Sequence, residues 1–156
     1  MIGAKKVASY FISKANALGD GNKELSGNND LTNLKLQKLL YFAQVEYLKR
    51  HGEKLFDEDI QAWQYGPVVK EVYDWLRGCG AYVITEFDIA LEDLSDIPED
   101  IRAFLDEIWN KYRKYSAWGL VEKTHEKKST WDKVYAGGDG DKKVIDINLL
   151  KQAATL

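Results

Sequence analysis

The sequence is poor in the residues from which compact metal and nucleophilic sites are usually built. It holds one cysteine, Cys79, and two histidines, His51 and His125. A lone cysteine excludes an intramolecular disulfide and suits a reducing compartment, so the expected location is the cytoplasm. Zinc needs three or four convergent nitrogen and sulfur ligands, which three such residues at unrelated spacings do not offer, and no metal or cofactor is expected. Long apolar runs are also missing. None approaches the roughly 18–20 residues that span a bilayer, and Lys5, Lys6, Ser13 and Lys14 interrupt the apolar residues of the first segment, which reads as an amphipathic helix and not a signal peptide. Positive charge is scarce as well: the net charge is −3. The one dense basic stretch, Lys123–Lys128, is diluted by Glu122 and Glu126, a weak footprint for binding a phosphate backbone. There is no Walker loop, dinucleotide fingerprint or nucleophile elbow, and Gly137-Gly138-Asp139-Gly140 lacks the flanking strand and lysine that a phosphate loop needs.

What is present suits one folded domain over residues 1–156. Apolar residues make up 45% and charged residues 30% of the chain, the balance of a protein that encloses a core. The pattern predicts a mainly α fold around a buried central helix. Val7, Tyr10 and Phe11 place a first helix over Ile2–Leu18, ended by Gly19, and the polar segment 19–30 reads as an exposed loop. Thr32 or Asn33 caps a second helix to about residue 50, where Gly52 stops it. Leu34, Leu36, Leu39, Leu40, Tyr41, Ala43, Val45, Tyr47 and Leu48 cover most of its circumference, leaving Lys35, Lys38, Glu46 and Lys49 as a narrow polar stripe. Such a helix is surrounded by others. Gln37 and Gln44 fall within the apolar arc, where a buried amide must find partners or cost about 1–3 kcal/mol. With Tyr41 they either tie the core to nearby backbone or reach a cavity.

Alternation over residues 59–65 predicts a short strand, and the β-favouring residues of 82–89 predict a second one pairing with it. Gly66 permits a sharp reversal, and Pro67 presets a third helix starting at Pro67 or Val68. Asp96, Pro98 and Glu99 open a fourth helix bearing Ile101, Phe104, Leu105, Ile108, Trp109 and Tyr112. Ser116 caps a helix with Trp118 and Val121, and Ser129 one with Trp131 and Val134. Residues 137–145 are a glycine-rich connection before a last short helix capped by Asp146.

Chemistry is thinly represented. Asp57, Glu58 and Asp59 read as a solvated acidic run before they read as a magnesium site. Cys79 with His125 would make a hydrolase if they met, but a small buried thiol and a hydrogen-bonded ring account for them more simply. Five Trp and nine Tyr are many for this length. Trp63, Tyr65, Trp118, Trp131 and Tyr135 cluster at helix ends and connections, where an aromatic with a polar edge serves either a core or an interface.

The segments Leu31-Thr32-Asn33-Leu34-Lys35-Leu36-Gln37-Lys38-Leu39-Leu40-Tyr41-Phe42-Ala43-Gln44 and Ala62-Trp63-Gln64-Tyr65-Gly66-Pro67-Val68-Val69 resemble the Panacea family of antitoxins, which includes SocA-like and phage-associated GepA-like proteins. The later Thr124-His125 and Trp131 match the family's Thr-His and Trp element, so the resemblance runs from Val7 to about Tyr135. One departure is Ser129-Thr130-Trp131, where the family often has proline directly before the tryptophan. The resemblance implies a helical protein that binds and neutralises a cognate toxin. Some SocA-like members are described as adaptors that hand a toxin to a protease, which implies a protease as a second partner. The expected partner-binding residues are Trp63, Tyr65, Gly66, Pro67, His125 and Trp131. No catalytic residue is expected, and a DNA-binding regulator is a further alternative. The acidic balance suits a basic toxin, and no feature specifies an oligomeric state.

Overall fold

The structure, a computed structural model, describes residues 1–18 and 29–155. Most of the loop expected over 19–30 therefore lies outside the described residues. Among these the fold is mainly α, with helices α1 (Ala4–Leu18), α2 (Asn33–His51), α3 (Lys70–Trp75), α4 (Glu99–Tyr112), α5 (Ala117–Thr124), α6 (Thr130–Tyr135) and α7 (Ile147–Lys151), and a hairpin of β1 (Gln61–Trp63) and β2 (Gly66–Val68). No helix is long and apolar enough to cross a membrane among the described residues.

Helix α2 is the axis of the core. The Thr32 hydroxyl accepts a hydrogen bond from Lys35 N, and Gly52, with φ of 75°, ends the helix in the left-handed conformation that a glycine adopts at low cost. Helices α1, α4, α5 and α7 and strand β2 pack around it. Because α2 is enclosed on nearly every side, the narrow polar stripe is itself largely inside: Lys35, Lys38 and Glu46 are buried, and only Lys49 of the four is exposed. Burying a charge demands a partner. Lys35 Nζ pairs with Asp30 at 2.8 Å and donates to Arg113 O at 2.6 Å. Glu46 accepts from Lys111 at 3.0 Å, Arg50 at 3.1 Å and the Tyr112 hydroxyl at 2.5 Å. Among the described residues, Lys38 forms no such ion pair.

The hairpin departs from the expected strand pairing. β1 falls within the segment 59–65, but its partner is 66–68 and not 82–89. Gly66 and Pro67 therefore belong to a strand, and the third helix begins at Lys70, later than expected. Pro67 fits because it faces Ala62, whose own N–H and C=O turn the other way, to Lys143 O at 2.8 Å and Lys142 N at 2.6 Å. The pair exchanges no bonds with each other, so the missing proline N–H costs the ladder nothing. The connection 137–145 thus returns to lie along β1, with Ile145 N donating to Ile60 O at 2.8 Å. The other edge of the hairpin meets α2, where Val69 N donates to Gln37 Oε1 and Lys38 Nζ donates to Pro67 O. With both edges occupied, residues 82–89 have no strand to join, and Tyr82, Val83 and Phe87 stand exposed while Ile84 is buried in the core and Ile89 packs against it half-buried.

The expected caps hold at Ser116, Ser129 and Asp146, whose side chains accept from Gly119 N, Asp132 N and Asn148 N. Asp96 does not cap α4. It pairs with Lys6 at 2.6 Å, and the helix starts at Glu99 directly after Pro98, with Glu99 and Asp100 supplying negative charge to its first turn.

Candidate functional site

The hairpin turn, the start of α2, the α3 region and the start of α5 enclose a groove of about 790 Å³. Trp63 and Tyr65 come from the hairpin, Tyr73 and Arg77 from α3 and the turn after it, Trp118 from α5, and Asp141 and Lys142 from the returning connection. The Trp63 indole meets the Tyr73 ring at 4.8 Å, with Lys142 Nζ 5.2 Å over its face. Tyr65 and Trp118 meet edge to face at 5.5 Å. They remain 50% and 58% exposed respectively, an unusual state for two large aromatic rings already in contact with each other.

Behind the hairpin lies a second aromatic layer. The Trp131 indole donates to Trp63 O at 2.7 Å, and its ring is sandwiched between His125 at 3.7 Å and Tyr135 at 4.7 Å. Trp131 is only 6% exposed. Its place in the structure is therefore beneath the strand that carries Trp63. Burial, with the nearby Lys38 amine, pushes the His125 imidazole below its ordinary range, while Asp132 opposes the shift. The ring is therefore neutral at pH 7, and its buried Nε2 has no hydrogen-bond partner among the described residues.

Gly66 is where the two layers touch. Its φ is 107°, and a Cβ built there would lie 2.7 Å from Lys38 Cε and 2.8 Å from Thr124 Oγ1. The Lys38 side chain thus runs directly beneath the hairpin turn, among the residues that line the groove, and its one hydrogen bond goes to Pro67 O at 3.1 Å. Burial holds its amine down to about 7.

The two glutamines serve the backbone. Gln37 Oε1 accepts from Val69 N at 2.9 Å while its Nε2 donates to Asn33 Oδ1 at 3.0 Å. Gln44 Oε1 accepts from Leu55 N at 2.8 Å and Phe56 N at 3.3 Å, and its Nε2 donates to Phe56 O at 2.7 Å. Each is a side-chain splint for a segment that has no ladder of its own. Gln37 also lines the groove, whereas Gln44 does not. Tyr41 shares a 2.9 Å hydrogen bond with the Thr130 hydroxyl and so ties α2 to the start of α6.

The residues singled out from the sequence thus fall into two groups. Trp63 and Tyr65 line the groove, and Gly66, Pro67, His125 and Trp131 lie in the layer that shapes it from beneath. Cys79 sits in the turn after α3, where burial and the Asp88 carboxylate push its thiol up, while His125 lies against Trp131; no hydrogen bond joins the two among the described residues. Sequence reasoning missed Lys38 as a groove residue, and also Tyr73, Arg77 and Lys142. The helical pattern placed Lys38 in the narrow polar stripe, and nothing local in the chain distinguishes it from Lys49.

The sequence profile described as "Antitoxin SocA-like, Panacea domain" matches residues 36–132. The chain is also 31% identical over 147 residues to Antitoxin SocA of Caulobacter vibrioides (strain NA1000 / CB15N), covering 89% of this chain and 73% of that protein. No solved structure matches it. The matched span contains the whole of the hairpin, α3, α4 and α5, together with His125 and Trp131, and on this combined ground the chain belongs to the SocA-like antitoxins with a Panacea domain.

Proposed function

We propose that this protein neutralises a partner toxin by direct binding, and that the toxin occupies the groove between the hairpin turn, the start of α2 and Trp118. The observation that supports this reading is the exposed Tyr65–Trp118 pair beside an open concavity. Binding energy concentrates on aromatic anchors that are wet in the free protein and dry in the complex. The second layer of His125, Trp131 and Tyr135 supports the groove from beneath, so Trp63 and Tyr65 meet the toxin while Trp131 keeps them in place. Neutralisation by occupancy requires no bond to be made or broken in the toxin.

The test is co-expression with the protein encoded beside this one, which should be toxic alone and harmless together with it. Tyr65→Ala and Trp118→Ala remove exposed rings and leave the core intact, so both variants should fold and each should weaken toxin binding by about 2 kcal/mol. Full affinity in both folded variants would move the toxin to another face.

A further inference from the structure

The charge of the chain is unevenly placed. Between Gly78 and Ile101 the sequence holds seven acids and no Lys or Arg, so this segment carries −7 and the rest of the chain +4. All seven are exposed, and among the described residues only Asp96 of them forms an ion pair, with Lys6 at 2.6 Å. Residues 81–98 have neither helix nor strand. They form a strap held against α1: Asn16 Oδ1 accepts from Glu86 N at 3.2 Å and Ser9 Oγ from Glu92 N at 3.0 Å, while Ile84 N donates to Leu31 O at 2.9 Å and its side chain is buried.

The strap carries the two most exposed large apolar side chains among the described residues, Phe87 at 91% and Tyr82 at 83%. Phe87 sits at the tip of a turn closed by three hydrogen bonds. Asp88 N donates to Thr85 O at 3.0 Å, and the Asp88 carboxylate accepts from Thr85 N at 3.1 Å and Thr85 Oγ1 at 2.8 Å. With Asn16 also holding Glu86 N, the backbone beneath the ring is fixed, and little conformational freedom is left to lose when the ring is buried by a partner. The strap also continues the groove. Gly80 and Ala81 line the groove and Tyr82 follows them directly. The Asp88 carboxylate is near enough to bear on the Cys79 thiol, so the Phe87 turn lies next to the segment that forms this wall.

We propose that the strap is a second contact surface for the same toxin, with Phe87 entering an apolar pocket on a cationic face of the toxin and the strap carboxylates, Glu86 beside the ring among them, facing its cations. This rests on the reading of the groove as the toxin-binding surface. The sign of the strap selects the occupant, since phosphate backbones and anionic membranes are repelled by it and a cationic protein face complements it. The Lys123–Lys128 stretch of a second copy has the right sign too, but that contact is head-to-tail and propagates into rings or filaments. A toxin seated in the groove already lies against the first residues of the strap.

The experiment uses the protein encoded beside this one, purified and immobilised on a biosensor, and follows binding of the full chain at low and high salt. Phe87→Ala should weaken binding about tenfold or more, chiefly through faster dissociation, because a desolvated aromatic anchor holds the formed complex together. The double variant Glu86→Lys, Glu92→Lys should slow association about tenfold and flatten its dependence on salt, because long-range charge steers encounter and salt screens it. All three positions are exposed, so thermal midpoints should match that of the unaltered chain. Unchanged dissociation in Phe87→Ala, or association in the double variant as fast and as salt-dependent as before, would overturn the proposal. So would sedimentation of the free chain as an oligomer that Phe87→Ala dissolves, since the occupant would then be a second copy. Tyr65→Ala and Trp118→Ala separate the two readings. If they weaken binding while the strap variants do not, the groove stands and the strap falls. If the strap variants weaken it while those two do not, the strap is the toxin's contact and the groove is not. If none of these variants alters binding, or the neighbour does not bind at all, both fall.

Discussion

At the scale of single residues, Gly66 and Lys38 constrain one another. Gly66 combines a φ of 107° with a Cβ position 2.7 Å from Lys38 Cε, so an alanine there meets backbone strain and a clash together. Gly66→Ala should cost about 2–4 kcal/mol in a denaturant titration, and an unchanged midpoint would show that the turn relaxes without loss. Lys38 itself makes stability depend on pH. Its folded pKa is about 7 against an ordinary 10.5, so between those values the unfolded chain binds more protons than the folded one. The cost of burying the charge is therefore full below pH 7 and fades as pH rises toward 10.5. Lys38→Met has no such dependence: it should be the more stable protein near pH 6, and its advantage should shrink steadily by pH 9. Parallel stability profiles for the two proteins would contradict this. The two glutamines could be read as anomalies in the sequence because an amide inside an apolar arc is visible to any periodicity. Lys38 could not, since a lysine on a helix with a narrow polar stripe looks solvated until the neighbours of that stripe are known. Here they are the hairpin and α5.

At the scale of elements, two capping serines that look alike in sequence differ in what they hold. Ser116 Oγ accepts from Gly119 N at 2.9 Å. Ser129 Oγ accepts from Asp132 N at 3.1 Å and also donates to Thr124 O at 2.7 Å, which clamps the end of α5 to the start of α6. Alanine at Ser116 should cost about 1 kcal/mol and at Ser129 about 2 kcal/mol, compared by thermal unfolding of the two variants. Only the second should also disturb the groove, because α6 carries the Trp131 indole that holds Trp63 O. Intrinsic tryptophan fluorescence would report it. Helix caps were legible because they are local: a serine, and an amide three residues on. Strand pairing was not. The residues of 82–89 have the propensity for a strand, but propensity cannot indicate that α2 side chains and the segment 142–145 have already taken both edges of the hairpin.

At the scale of the molecule, the span that carries the family match is narrower than the span that makes the core. Residues 36–132 omit Val7, Phe11 and Ile12 of α1, Leu31 before α2, and Ile145 and Leu150 of the returning arm, every one of them buried. They also omit Asp141 and Lys142, which wall the groove, and the backbone of 142–145 that pairs with β1. Full burial of each large aliphatic or aromatic side chain stabilises a fold by about 1.5–3 kcal/mol. Losing six of them approaches or exceeds the net stability of an ordinary domain, about 5–15 kcal/mol. A chain cut to residues 36–132 should therefore show no cooperative unfolding transition and should fail to protect cells in the proposed co-expression test, whereas the full chain should unfold cooperatively and protect them. Restoring residues 1–35 alone should not rescue the groove, because the edge of β1 away from β2 would still lack the backbone of 142–145 and Lys142 would still be absent. A cut chain that unfolds cooperatively, at a midpoint near that of the full protein, would show that the matched span carries its own core, and that α1 and the returning arm cover a surface that is stable without them.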